Sequence, residues 1–151
     1  MNIGLTALFL ACCGAAAVTG VVFQPGDWYL ALNRPGWTPP NAAFPIAWTI
    51  IYICIAIAAA RIAPLPAAGV AIGLWALQIA LNVLWTPVFF GAHRIGLGLA
   101  IIVLLWLVVT ACTVVLWRMD RLAGALMLPY LAWLSLAAPL NAWIWQNNPA
   151  A

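Results

Sequence analysis

A chain of 151 residues that is 68% hydrophobic and only 5% charged, with a mean hydropathy of +1.14, cannot cover a water-facing surface, since a soluble domain carries about 25% charged residues. Its net charge of +3 is small and scattered, which gives no basis for a nucleic-acid partner. Asp27, Arg34, His93, Arg94, Arg118, Asp120 and Arg121 fall between apolar runs, and Arg61 lies at the very end of one. That spacing belongs to an integral, multi-pass helical membrane protein, because only the connections hold charge cheaply.

Five runs, at 3–23, 44–62, 67–90, 95–117 and 122–145, reach or approach the roughly 20 residues that a helix needs to cross a bilayer. Membrane strands are about half that length and alternate polar with apolar residues, which these runs do not. The expectation is one all-α membrane domain over 1–151, a bundle of five transmembrane helices with a long Trp/Pro-rich loop between helices 1 and 2.

The first run lacks the basic flank of a signal peptide, since the chain opens Met1-Asn2-Ile3-Gly4, and it reads as a retained helix. Cys12, Cys13, Cys54 and Cys112 all lie inside runs, with no C-x-x-C and no Cys/His cluster. They read as small packing residues, and no metal site is expected. The connection at 24–43 holds Pro25, Pro35, Pro39 and Pro40 with Trp28, Tyr29 and Trp37 among them. Proline restricts itself and the residue before it, so this loop loses little freedom on ordering. It reads as an interfacial anchor or, more sharply, as a semi-rigid cap over the mouth of the bundle.

Small residues such as Ala56 and Ala60 recur in the second run, and Gly69-x-x-x-Gly73 opens the third. Such faces let backbones approach closely, within a bundle or between copies of a homodimer. The third run then places Gln78, Asn82 and Trp85 or Thr86 on one helix face. A buried amide is costly in hydrocarbon, so this face must look inward. The fifth run aligns Tyr130, Trp133, Ala137 and Asn141, with Ser135 off that face and Pro129 and Pro139 marking bends or irregular turns. Two readings fit these residues. The amides tie helices together, or they line a cavity with Trp48, Tyr52, Trp85 and Trp133 and orient a flat, apolar ligand.

Arg61, Arg118 and Arg121 fall on the side of the 2–3 and 4–5 connections, against Arg34 and Arg94 on the other, which places the first group and the N-terminus in the cytoplasm. No run contains a carboxylate, the chain has no lysine, and its one histidine, His93, sits beside Arg94 in a short loop. That gives no conventional catalytic constellation and argues against a proton-driven carrier.

The motifs WYLALNRPGWTPPNAAFPIAWTIIY, ALNVLWTPVFFG and PYLAWLSLAAPLNAWIWQNN, within five spans and with ten tryptophans, closely resemble the tryptophan-rich sensory protein family, whose mitochondrial members are the translocator proteins. The resemblance runs through essentially the whole chain and implies a bacterial member in the cell envelope, often dimeric. It also implies a pocket that binds porphyrins (protoporphyrin IX or haem) or related flat drugs, with no cofactor required and lipid as neighbour. Carried over by motif, Trp48 and Tyr52 form one wall, Asn82 and Trp85 a polar contact and a ring, and Trp133, Ala137 and Asn141 complete the cavity. Trp37, Pro39 and Pro40 belong to the lid. Trp48 and Trp133 match the tryptophan pair proposed to degrade porphyrin in light, which makes a photochemical activity one alternative to a sensor and passive transport another. The sterol-recognition stretch of mammalian members is not matched, because LNAWIWQNN offers neither a tyrosine nor a basic residue.

Overall fold

A computed structural model describes residues 2–149. The helices are α1 (Ile3–Val22), α2 (Asp27–Ala31), α3 (Ala43–Ile62), α4 (Gly69–Thr86), α5 (Ile95–Met119), α6 (Arg121–Leu126) and α7 (Leu128–Asn147), with a π-helical turn, Pro87–Gly91, following α4. They form five spans, Ile3–Val22, Ala43–Ile62, Gly69–Gly91, Ile95–Met119 and Arg121–Asn147. Successive spans run antiparallel, so the α1–α3 connection, the π turn and the end of α7 share one face, called here the lid face. Leu104, Leu107 and Val114 on α5 are exposed, as is Leu84 on α4. Such an exterior suits lipid, where burial of apolar side chains gives no advantage over leaving them at the surface.

The Asn2 side chain caps α1 by accepting from the Leu5 N–H at 3.3 Å, and α1 packs against α3 and α4 as a member of the bundle. In α3, Ala58, Ala59, Ala60 and Ile62 are all 0–1% exposed, so most of its far end is enclosed by α1, α4, α5 and α6, with Arg61 on the one partly open side. Ala56 and Ala60 are buried there, whereas the built Cβ positions of Gly69 and Gly73 on α4 meet nothing within 4 Å. The alanine face therefore works inside the bundle, and the glycine pair faces outward.

Prolines set the irregularities. Pro87 has no N–H to continue the α4 ladder, and the chain widens so that the Ala92 N–H donates to the Pro87 carbonyl at 2.8 Å. The chain then reverses through His93, at φ 55°. Near the opposite end, Pro129 follows a tight turn at Met127 that splits the fifth span into α6 and α7, while Pro139 lies inside the continuous α7. Gly124 makes the α5–α6 corner possible, since a Cβ there would sit 2.6 Å from the Trp117 Cα.

That corner is tied electrostatically. Asp120 Oδ2 accepts from Arg61 Nε at 2.8 Å and pairs with Nη2 at 2.6 Å, while Oδ1 caps α6 by accepting from the Leu122 and Ala123 N–H groups. Burial opposes ionisation of Asp120, but the donors from Ala123, Arg61 and Leu122 outweigh it and hold the carboxyl below its usual value. A lowered folded-state pKa contributes stability that is complete above the ordinary carboxylate range, near pH 4, and is lost as pH falls through the folded value. The detergent-solubilised protein should therefore show a flat thermal midpoint from about pH 8 to 5 and a decline below it. Asp120→Asn should start lower at neutral pH and decline less on acidification; an acid limb identical to wild type would contradict this role.

Candidate functional site

The inward face of α4 carries the polar core. Tyr52 on α3 donates its hydroxyl to Asn82 Oδ1 at 2.8 Å, and Asn82 Nδ2 donates to the Tyr130 hydroxyl oxygen on α7 at 3.2 Å. One side chain thus joins three helices. Nearer the lid face, Trp85 Nε1 donates to Asn141 Oδ1 at 3.3 Å, and Asn141 Nδ2 donates to the Ile95 carbonyl at 3.1 Å, joining α4, α7 and the start of α5. Gly98 permits that approach, because a Cβ there would come within 3.0 Å of Phe89 and 3.4 Å of Asn141 Oδ1. Asn82 is 6% exposed and Asn141 2%, so both amides sit away from any solvent and their pairing is obligatory.

Aromatic rings build the walls around these amides. Trp48 lies 5.3 Å from the Tyr52 ring and 5.7 Å from Tyr130, and Trp133 meets Phe44 edge-on at 5.4 Å. Trp85 stacks on Phe89 at 4.9 Å. Beside Trp133 an apolar groove of about 350 Å³ runs between α3 and α7, lined by Ala47, Ile50, Ile51, Pro129, Ala132 and Leu136. Ala137, one turn beyond Trp133, is half-buried, and its small side chain leaves α7 close to the core.

At the lid face the first loop is anchored. The Trp28 ring stacks on His93 at 4.1 Å, and Tyr29 is buried against Phe89 and Phe90. The Asn33 backbone is clasped by Asn148 just past α7, its N–H donating to Asn148 Oδ1 at 2.8 Å and its carbonyl accepting from Nδ2 at 3.0 Å. Beside these anchors the loop forms an open, shallow pocket of about 520 Å³ lined by Leu32, Asn33, Arg34, Pro35, Thr38, Pro39, Pro40 and Asn41. The Arg34 guanidinium lies 4.9 Å over the Tyr29 ring, which fixes a cation at the mouth.

Of the residues singled out from the sequence, Trp48, Tyr52 and Asn82 converge with Tyr130, and Trp85 pairs with Asn141 one level nearer the lid. Trp133 lies beside the groove, and Pro39 and Pro40 line the lid pocket. Trp37 keeps 48% of its surface exposed at the loop. The sequence reading named Tyr29 among the aromatics of the loop but did not find its partners Phe89 and Phe90 or the Asn148 clasp. The FFG of the third run and the NN after the last tryptophan were their signals. Among the described residues no cluster of His, Cys, Asp or Glu could hold a metal ion.

Residues 6–146 match the sequence model of the TspO/MBR family. The chain is 44% identical over 153 residues to Protein CrtK of Rhodobacter capsulatus, covering 99% of this chain and 96% of that protein. It is 45% identical over 141 residues to the Tryptophan-rich sensory protein of Cereibacter sphaeroides, covering 93% and 89%. With the Translocator protein of Homo sapiens it shares 33% over 126 residues, covering 80% and 75%.

Removing the Asn82 amide strands two tyrosine hydroxyls in the core. Asn82→Ala should lower stability by about 1–3 kcal/mol, and Tyr52→Phe, which removes one bond and leaves one acceptor free, by less. Thermal unfolding in detergent checks the ranking, and an unchanged midpoint for Asn82→Ala would contradict the network.

Proposed function

The chain belongs to the TspO/MBR family, as a multi-pass integral membrane protein of the bacterial envelope, and from that premise we propose that it is a membrane-embedded binding protein and sensor for porphyrins such as protoporphyrin IX or haem. The observation that carries this reading is an apolar groove with Trp133 in its wall and Trp48 on the helix that forms its other side, in a bundle whose first loop is already anchored. Trp133 borders the groove between α3 and α7, Trp48 packs against Tyr130, and Arg34 lines the separate pocket of the loop, over the Tyr29 ring. A flat macrocycle needs apolar and aromatic walls, few polar contacts and, for its carboxylates, a cation at the membrane surface. The lid adds little ordering cost to binding because Trp28, Tyr29 and Asn33 already hold it in place.

A ring bound in the groove would touch α3 and α7, and one whose carboxylate reached Arg34 would touch the lid as well. Its presence is thereby converted into the position of the lid, which is the surface a signalling partner would read. The names of the two bacterial and mammalian relatives, sensory protein and translocator protein, support a ligand-handling role in a membrane.

Titration of the detergent-solubilised protein with protoporphyrin IX in the dark should give saturable quenching of tryptophan fluorescence. Trp133→Phe should weaken binding about tenfold, equivalent to about 1.4 kcal/mol. Arg34→Ala should weaken protoporphyrin IX several-fold, on the ~1 kcal/mol scale of an exposed charge pair, and leave its dimethyl ester unaffected. Non-saturable quenching that is indifferent to both changes would mean partitioning into the micelle and would end the porphyrin reading. Illumination of the same samples tests photochemical turnover, which Trp48→Phe or Trp133→Phe would abolish while leaving residual binding.

A further inference from the structure

At the α5–α6 corner the chain carries more positive charge than it neutralises. Asp120 is the one acidic side chain at that end of the bundle, and both of its oxygens are taken, Oδ2 by Arg61 and Oδ1 by the Leu122 and Ala123 N–H groups. Among the described residues Arg61–Asp120 is the only ion pair. Arg118 and Arg121, on either side of Asp120, are both exposed. With Arg61 and Asp120 cancelling, these two arginines hold two of the chain's three net positive charges.

Their surroundings are apolar and face outward. Leu104, Leu107, Ala111, Val114 and Arg118 recur at steps of three and four and are all exposed, so they share the outer stripe of α5. In a bilayer that stripe lies against acyl chains, and Arg118 stands where it ends. From Leu104 to Arg118 the helix rises about 21 Å, which exceeds one leaflet's half of a roughly 30 Å hydrocarbon core. Trp117 is 44% exposed, and a Cβ on Gly124 would lie 2.8 Å from its Cε3, so the indole rests against α6. Arg121 and Leu122, which open α6, are exposed as well. Three residues of chain keep the Arg118 and Arg121 Cα atoms within about 11 Å of each other, close enough for two long side chains to meet on one headgroup.

We propose that the α5–α6 corner binds the phosphate of an anionic phospholipid, with the headgroup at Arg118 and Arg121 and an acyl chain along the outer stripe of α5. A guanidinium matches a phosphodiester with paired N–H donors, and an indole beside it suits the level where headgroup meets hydrocarbon. A second copy of the chain packed on this stripe about a two-fold axis would bring the same arginines together with no free carboxylate to separate them. An anionic lipid supplies the missing counter-charge, whereas a zwitterionic one brings a cation of its own. The bound headgroup would hold the corner from the lipid side, as Arg61 holds it through Asp120.

The test is the thermal midpoint of the detergent-solubilised protein with added phosphatidylglycerol, phosphatidylcholine or inorganic phosphate at equal phosphate concentration. Phosphatidylglycerol should raise the wild-type midpoint by several degrees, by mass action on the folded state, and the other two should not. The double variant Arg118→Gln/Arg121→Gln should lose more than half of that rise. Arg94→Gln, an exposed arginine at the lid face, should keep all of it, and Arg118→Lys/Arg121→Lys should keep most. Retention of phosphatidylglycerol by each variant in native mass spectrometry gives the same ranking without reference to the unliganded midpoint. An equal rise in wild type and the double glutamine variant overturns the proposal. So does a rise from phosphatidylcholine as large as that from phosphatidylglycerol, and one reproduced by inorganic phosphate would mean a free-anion site instead of a lipid site.

Discussion

Hydrocarbon supplies no partner for a stray hydrogen-bonding group, and the arrangement of this bundle follows from that constraint. The few polar side chains in the spans are spent on joining helices. Asn82 takes a hydroxyl from α3 and gives an N–H to α7; Asn141 takes the Trp85 indole and gives an N–H to the first carbonyl of α5. In lipid, apolar contact alone discriminates poorly between one helix pairing and another. Two asparagines, each reaching two other helices, specify which spans are neighbours and at what level. The aromatic walls are then placed as a consequence, because Tyr52 and Tyr130 fix the position of Trp48.

The two ends of the bundle are closed by different physics. At the far end a charge pair does it: Arg61 at the end of α3 meets Asp120, which also caps α6. Charge is tolerable there because the pair sits where the spans end, within reach of the interface. At the lid end closure is aromatic and amide-based, with Trp28 on His93, Tyr29 on Phe89 and Phe90, and Asn33 in the grip of Asn148. Stacking and amide contacts hold a loop in register without a charge pair that would compete for an anionic ligand, and they leave Arg34 over Tyr29.

Much of this was legible in the chain. Hydropathy places the spans to within two residues at most ends, because a bilayer imposes a length that no propensity overrides. Helical spacing puts Gln78, Asn82 and Trp85 on one face, and burial of the first two follows from the cost of exposing an amide to lipid. Partner choice was not legible. Spacing on α4 cannot say that Asn82 would find Tyr52 and Tyr130, since that depends on helix tilt and on small residues such as Gly98 that let α5 approach. The short helix α2 was hidden by the prolines around it, and the π turn by an apolar run that reads as plain helix. The Arg61–Asp120 pair joins residues 59 positions apart, with no local signal.

The central claim is that a flat ligand lies against α3 and α7 at Trp48 and Trp133. Indole N–H resonances of the ten tryptophans, recorded on ¹⁵N-labelled protein in detergent while protoporphyrin IX is added, test it most directly. A stacked macrocycle shifts nearby protons strongly. The account predicts large, saturable shifts at Trp48 and Trp133 and none at Trp117, which is exposed near the far end of α5. Shifts confined to exposed indoles such as Trp117 and Trp145, with Trp48 and Trp133 unmoved, would contradict it.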